Sequence, residues 1–165
     1  MSMPDNVLLL SIQPEYVKKI FNGEKTVELR RVRPRLSEGD LVLVYASFPE
    51  KALVGLFEVE KIIEKSPKEL WKIVKDNAGI TKKKFDIYYE GATVGFGIYL
   101  SQTKSFNKPV ELERLRQEWT DFRPPQGYRY LKPNEVNLVE AITECEIASF
   151  SKKSEQKEYQ QLVLL

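Results

Sequence analysis

Residues 23–30 read GEKTVELR, and a helical pattern gives way to a strand pattern within this stretch. Residues 14–21 carry apolar side chains at helical spacing after a proline, which is favoured in the first turn of a helix. Gly23 then stands where a left-handed residue ends such a helix. Beyond it, apolar residues alternate with Glu28 and Arg30, which is typical of a strand. We therefore expect Glu28 and Arg30 on one strand face, about 7 Å apart.

The rest of the chain reads mainly as strands with a few helices between them. Apolar runs bounded by turn residues predict strands at 6–12, 41–46, 52–63 and 93–106. Helix-start signals predict helices that open at Ser66, at Thr81 and after Pro109. Residues 134–147 fit either a helix or a strand. This pattern predicts an α+β, mainly β fold, a small and partly open β-barrel with helical insertions.

The size and composition of the chain favour one domain without metal or disulfides. A chain of 165 residues buries roughly two-thirds of its unfolded surface, which is enough for a hydrophobic core. Cys145 is the single cysteine, so no intramolecular disulfide is expected. The sequence has no histidine, which excludes histidine-based nucleophilic triads and, with one cysteine, zinc fingers. We expect neither a metal nor a cofactor.

The distribution of charge and apolar residues points to a cytoplasmic protein. The apolar run near the start spans five residues at most, too few for a signal peptide or a membrane span, so no membrane partner is expected. The net charge of +2 says little by itself about nucleic acid. The local concentration of charge is more informative, since residues 30–35 read RRVRPR.

Gly23, Lys25, Glu28 and Arg30 form the pattern G-x-K-x-x-E-x-R, which resembles the signature of the ASCH family. Similar companion stretches are LLLSIQPEYVKKIFNGEKTVELRR, VYASFPEKALVGLFEV and PPQGYRYL. The resemblance covers about residues 6–131 and implies a PUA-like β-barrel. We expect this domain to span residues 1–131, with residues 132–165 as a C-terminal extension packed on the same domain. The resemblance also implies a cleft where the motif faces RNA, a nucleotide or a related small ligand. Longer relatives with these features are usually described as predicted transcriptional regulators.

The motif supplies the first set of candidate binding residues: Gly23, Lys25, Glu28 and Arg30. Arginine pairs bidentately with planar acceptors, and a carboxylate accepts hydrogen bonds from amino groups, so the set suits a base or a nucleoside phosphate. Lys25 reaches the same side as Glu28 only if it lies in the turn after Gly23, because regular strand alternation would send it to the other face. The alternative is a solvated ion pair between Glu28 and Arg30 on an exposed strand.

The arginine run supplies a second set of candidates, for contacts with phosphate groups. Arg31, Arg33 and Arg35 recur at every second position and would track a nucleic-acid backbone beside the cleft. Exposed arginines on an edge strand are the alternative, because charged edges prevent strand-to-strand aggregation.

Two further stretches supply aromatic and amide groups. In PPQGYRYL, Tyr128 is a candidate for base stacking, Arg129 for a phosphate or base edge, and Gln126 for an amide-type hydrogen bond. Plain packing at the end of a barrel is the alternative for the tyrosines. Tyr45, in VLVYAS, either lines the cleft or fills the core.

The leading functional hypothesis is a module that binds RNA or a modified nucleotide, with a regulatory role. The alternative is a hydrolase acting on a modified nucleoside or on RNA, in which Lys25 and Glu28 would be catalytic. Some small ASCH proteins resembling this chain are amidohydrolases that use a lysine matching Lys25 and a threonine where this chain has Glu28, so that reaction is not implied here. A third hypothesis makes the apolar tail, residues 162–165, a docking or dimer element. The oligomeric state is not predicted.

Overall fold

The computed structural model describes residues 6–147, which form six strands and five helices. In chain order these are β1 (Val7–Ile12), α1 (Pro14–Phe21), β2 (Val27–Arg30), β3 (Leu41–Ala46), β4 (Ala52–Lys65), α2 (Pro67–Val74), α3 (Lys82–Tyr88), β5 (Gly95–Glu111), α4 (Leu112–Glu118), β6 (Tyr128–Tyr130) and α5 (Pro133–Thr143). All the strands predicted at 6–12, 41–46, 52–63 and 93–106 are present. The stretch that fitted either element, 134–147, is mostly helix.

The six strands form one sheet in the order β2-β5-β4-β3-β1-β6. β1 pairs in parallel with β3, and all the other pairs are antiparallel. The long strands β4 and β5 shift register three times along their length. Such irregularities bend a strand and increase its twist, so the sheet curls into a half-barrel. The predicted α+β fold with a partly open barrel is confirmed.

β1 is the second strand from one edge of the sheet, and both of its faces are buried. Its side chains alternate between two core clusters: Val7 and Leu9 pack with residues of α4 and α5, whereas Leu8 and Leu10 pack with residues of α1. A strand covered on both faces has no polar position to alternate with, which explains its run of leucines.

Local signals in the sequence account for the helix boundaries. The Ser66 hydroxyl accepts a hydrogen bond from Glu69 N at 3.3 Å, and the Thr81 hydroxyl accepts one from Lys84 N at 3.3 Å. Both residues therefore cap the helices that they were predicted to open. Gly23 follows α1 with φ +88°, a left-handed conformation that glycine adopts without strain, as predicted.

The sequence overestimated the length of β2. The strand pattern extended past Arg30, but β2 ends at that residue and the arginines beyond it lie in an irregular segment. Two tyrosines end the strand: Tyr88 Oη donates to Leu29 O at 3.4 Å and Tyr89 Oη donates to Arg30 O at 3.1 Å. The strand therefore ends before Val32, and the alternative that put Arg31, Arg33 and Arg35 on an edge strand is wrong.

The apolar tail at residues 162–165 lies outside the described residues. Within residues 6–147, helices long and apolar enough to cross a membrane are not found. α5 begins just beyond residue 131 and buries Val136, Val139 and Ile142 in the core cluster that contains Val7. The boundary at residue 131 stays a prediction.

Candidate functional site: a polar cleft around Glu28

A cleft of about 810 Å³ lies beside the motif. Its walls come from the ends of β1, β2 and β3, the turn 47–51, helix α3 and the loop 124–126. The charged side chains that line it within the described chain are Lys25, Glu28, Arg30, Lys51 and Lys84. Four cations and one carboxylate thus face the same space, which favours an anionic ligand.

Glu28 lies between two cations of the motif. Arg30 Nη2 is 3.3 Å from Glu28 Oε1, and Lys25 Nζ is 3.8 Å from Glu28 Oε2. Glu28 is only 7% exposed, so the solvated ion pair of the alternative interpretation is not what the structure contains. Burial strengthens the attraction between these charges, because less water screens them. The structure thus brings Lys25, Glu28 and Arg30 together at one wall of the cleft.

Lys25 reaches Glu28 because it lies before the strand rather than in it. β2 begins at Val27, and Lys25 N donates to Lys19 O at 2.9 Å in the turn after α1. Lys25 is 4% exposed, and its ammonium donates to Ala78 O at 2.6 Å. Burial lowers the pKa of Lys25, while the neighbouring Glu28 carboxylate opposes that shift.

The lysine contacts fix the segment that precedes α3. Lys19 Nζ donates to Gly79 O at 3.0 Å, next to the carbonyl that Lys25 holds, and Thr26 N donates to Asn77 O at 2.8 Å. Helix α3 follows directly and lines the cleft with Lys84, Ile87 and Tyr88. Lys25 therefore supports one wall of the cleft in addition to pairing with Glu28.

Arg30 keeps donor capacity toward the cleft. Its Nη2 donates to Ser11 O at 3.3 Å and contacts Glu28. Its Nε is buried and has no hydrogen-bond partner among residues 6–147. A guanidinium carries five N–H donors, so Arg30 retains donors for a ligand while its orientation is fixed by two protein groups.

Tyr45 both fills the core and lines the cleft, so the two alternatives for this residue are not exclusive. Its ring is buried and packs against Phe122, with ring centroids 6.1 Å apart. Its hydroxyl is buried without a hydrogen-bond partner in the described part of the chain. Burial raises the pKa of Tyr45, so the hydroxyl is neutral near pH 7 and can donate a hydrogen bond.

Sequence reasoning missed part of the cleft, namely the turn after β3 and the exposed side of α3. Ser47, Phe48 and Lys51 contribute from the turn, and Lys84 and Ile87 contribute from the helix. The sequence carries one signal for a turn that exposes an apolar side chain, since Phe48 directly precedes Pro49 there. The lysines of α3 resemble any solvated helix face in the sequence, and only the packing of α3 on β2 reveals their position.

Gln126 lines the cleft, but several other candidate residues lie elsewhere. The structure places Gly23, Arg31, Arg33, Arg35, Tyr128 and Arg129 outside the lining. The three arginines of the run are exposed, and Arg31 Nη2 donates to Glu90 O at 3.3 Å.

Pairing of β6 with β1 explains the positions of Tyr128 and Arg129. Tyr128 pairs with Leu10 and packs on the core cluster beside α1. Arg129 points the other way, where its guanidinium lies 3.0 Å from Glu135 and stacks over Trp119 at 5.0 Å. Both residues therefore have structural contacts of their own.

Acidic side chains outside the motif do not assemble a metal site in the described residues, where groups of three or more potential ligands are absent. Glu58 is buried on β4 but does not line the cleft. Glu60 is exposed and also lies outside it.

The curled sheet and its lined cleft define a PUA-like half-barrel with a polar cleft beside the edge strand β2. Residues 10–161 match the model of the ASCH domain. The chain belongs to the ASCH domain family, which confirms the resemblance drawn from the G-x-K-x-x-E-x-R pattern.

Individual relatives agree with this assignment. A curated ASCH domain-containing ribonuclease of Zymomonas mobilis is 27% identical over 135 residues, which cover 82% of this chain and 90% of that protein. The crystal structure of ASCH from Zymomonas mobilis has a TM-score of 0.78 at 27% identity, covering 83% of this chain and 95% of that one. The N-terminal domain of Thermococcus gammatolerans McrB, solved bound to m5C DNA, has a TM-score of 0.53 at 11% identity, covering 85% and 98%. The last likeness concerns the fold alone.

Proposed function

We propose that this protein binds RNA and seats one nucleotide in the cleft around Glu28. The observation that carries the proposal is the charge of the lining, where Lys25, Arg30, Lys51 and Lys84 outnumber one carboxylate. Phosphate groups dominate the affinity of proteins for nucleic acid, and cations that line a concave surface bind them. The ribonuclease name of the Zymomonas relative supports RNA as the ligand.

The lining divides into two parts with different tasks. At the wall formed by β2, protein contacts hold Glu28 and Arg30 in place. The Glu28 carboxylate presents hydrogen-bond acceptors and the Arg30 guanidinium presents donors, which together suit the edge of a base. Toward solvent, Lys51 and Lys84 are exposed and suit phosphate groups. The exposed Arg31, Arg33 and Arg35 lie outside the cleft and would extend the contact with the backbone.

A titration with labelled RNA oligonucleotides tests the proposal. Arg30→Ala removes the guanidinium at the wall and should weaken binding at least tenfold, since a charge-assisted hydrogen bond to a ligand contributes about 1.5 to 3 kcal/mol. Arg114→Ala is the matched control, because Arg114 is exposed on α4 away from the cleft. Equal affinity of both variants and the wild type across several RNAs would contradict the proposal.

Cleavage of RNA is a second candidate function, and the Tyr45 hydroxyl favours it. This neutral, buried hydroxyl lines the cleft and has a donor to offer to a phosphoryl oxygen. In the proposed step the 2′ oxygen attacks the adjacent phosphorus and the bond to the 5′ oxygen breaks. The 2′ proton passes to solvent water, and the leaving 5′ oxygen takes a proton from solvent water. Lys51 would offset the charge that develops on the phosphoryl oxygens.

The protein contacts of Lys25 and Glu28 support positioning roles for them rather than catalytic ones. Lys25 donates to Ala78 O and pairs with Glu28, so we assign it to positioning the wall rather than to the reaction. Tyr45→Phe removes one oxygen from a packed ring and tests the enzyme directly. We expect it to abolish the appearance of cyclic phosphate ends on RNA while leaving affinity within about threefold. Undiminished cleavage by this variant would rule out the role of Tyr45.

The cellular setting is part of the proposal. A buried, reduced Cys145 and an RNA ligand are consistent with the cytoplasm. The regulatory role implied by the resemblance to predicted transcriptional regulators stays a prediction.

A further inference from the structure

Phe48 is exposed to solvent at the mouth of the cleft. Its residue exposure is 75%, the highest of the large apolar side chains described, and Ile87 on α3 is 62% exposed at the same cleft. Moving an aromatic ring out of water lowers the free energy of the system. A ring that stays exposed beside a binding site therefore indicates a partner that covers it.

The turn that carries Phe48 is anchored at both ends. Ser47 N donates to Ile12 O at 2.9 Å, and Lys51 O accepts from Leu112 N at 2.9 Å. Within the turn, Glu50 N donates to Ser47 O at 3.1 Å. These bonds tie the turn to β1 and to α4, so Phe48 projects from a fixed backbone rather than from a loose loop.

Lys51 is held beside the ring in an unfavourable backbone conformation. Its φ is +50°, in the left-handed region that residues with a Cβ atom rarely occupy. Its Nζ lies 5.4 Å from the centroid of the Phe48 ring, and its side chain lines the cleft. Strained residues often mark functional sites, because the surrounding structure retains them against their local preference.

We propose that Phe48 is a stacking platform for an unpaired base, and that Lys51 binds the phosphate that joins this base to the nucleotide in the cleft. A flat apolar ring with a cation beside it matches the two parts of a nucleotide, its base and its phosphate. Base-paired strands do not fit this arrangement, since their bases are already stacked on both faces. The site therefore selects single-stranded RNA. This inference rests on the proposed RNA-binding function.

Stacking on an aromatic side chain makes a measurable share of the affinity for a single strand. Loss of one such contact weakens binding by about fivefold to more than a hundredfold. We expect Phe48→Ala to lie in this range, Phe48→Trp to bind like the wild type, and Phe48→Leu to fall between them. Ile73→Ala is the matched control, because Ile73 is an exposed apolar residue on α2 outside the cleft.

The test uses single-stranded oligoribonucleotides that carry 2-aminopurine at successive positions, since the fluorescence of this base is quenched when it stacks. With the wild type, quenching should be strongest at one position next to the nucleotide in the cleft. Phe48→Ala should remove that quenching and Ile73→Ala should keep it. A duplex of the same sequence should bind at least tenfold more weakly.

The outcomes separate this inference from the function on which it rests. Suppose that Arg30→Ala binds more weakly than the wild type, but Phe48→Ala shows the affinity and the quenching of the wild type. The proposed role of Phe48 in stacking is then wrong, and the proposed binding of RNA in the cleft is retained. Equal affinity for duplex and single strand would also overturn the platform. If the wild type binds no RNA of either kind, the proposed function fails and the platform fails with it.

Discussion

The Lys25 ammonium lies 3.8 Å from the Glu28 carboxylate, although strand alternation alone would place the two residues on opposite faces. The contact forms because β2 begins only at Val27, so Lys25 belongs to the turn after α1. The same ammonium holds Ala78 O in the segment before α3. The motif thus links a charged wall of the cleft to the helix that faces it.

Glu28→Gln should destabilise the protein substantially. It removes the negative charge between the buried Lys25 and the partly exposed Arg30, and breaking a buried ion pair costs about 3 kcal/mol or more. We expect a Tm lower by about 6 to 12 °C in thermal unfolding. Glu24→Gln, at an exposed position of the same turn, is the control and should leave Tm within about 1 °C. A Glu28→Gln protein as stable as this control would show that the ion pairs contribute nothing.

Lys25 should make the stability depend on pH in the alkaline range. Burial lowers its pKa in the folded protein below the unfolded value of 10.5, so between these two values the unfolded chain binds more protons. The contribution of Lys25 to the free energy of unfolding is therefore lowest below its folded pKa, and it rises as the pH increases toward 10.5. We expect the Tm of the wild type minus that of Lys25→Met to increase over this range.

The exposed Lys18 of α1 supplies the control for this measurement. The Tm of Lys18→Met should follow the wild type at every pH. A difference between wild type and Lys25→Met that stays flat or decreases with pH would contradict the assigned direction of the shift.

Lys51→Gly should stabilise the fold and weaken RNA binding at the same time. Glycine adopts φ +50° without the steric cost that a Cβ atom brings. Because glycine also loses more conformational entropy on folding, the net increase in the free energy of unfolding is about 0.5 to 1 kcal/mol. Gln102 also has φ +50° but lies on β5 outside the cleft, so Gln102→Gly should gain similar stability without a change in RNA affinity. Parallel changes in affinity for both variants would mean that Lys51 has no specific part in binding.

Arg33→Ala should alter the salt dependence of binding more than its specificity. Arg33 is exposed beyond the end of β2 and, in the proposed mode, meets a phosphate rather than a base. Removal of one phosphate contact reduces the slope of log affinity against log salt concentration by about 0.7 for a single strand. Titrations at several salt concentrations measure this slope. An unchanged slope would remove the arginine run from the interface.

The part of the cleft wall formed by Glu28 and Arg30 could be predicted from local pattern, because helix termination at Gly23 and strand alternation after it are rules that act within a few residues. The end of β2 could not be predicted in this way, since it depends on hydroxyl groups of Tyr88 and Tyr89 nearly sixty positions away. The pattern of the arginine run continues past this point without a break, which is why the strand was extended too far.

The positions of residues that depend on contacts distant in sequence were the hardest to predict. Tyr128 and Arg129 looked alike as ligand contacts, but pairing of β6 with β1 sends their side chains to opposite faces and into separate structural contacts. Phe48 and Lys51 looked like an ordinary turn before a strand. Their position became evident only when β1 and α4 were seen to anchor that turn beside Glu28.

Photochemical cross-linking tests the central claim, that RNA occupies the cleft around Glu28, most directly. Single-stranded RNA containing 4-thiouridine would be irradiated with the wild-type protein, and the modified peptides identified by mass spectrometry. We predict adducts in the turn 47–51 and in α3, which both line the cleft, and their loss when Arg30 is replaced by alanine. Adducts confined to surfaces outside the cleft, or none at saturating RNA, would contradict the claim.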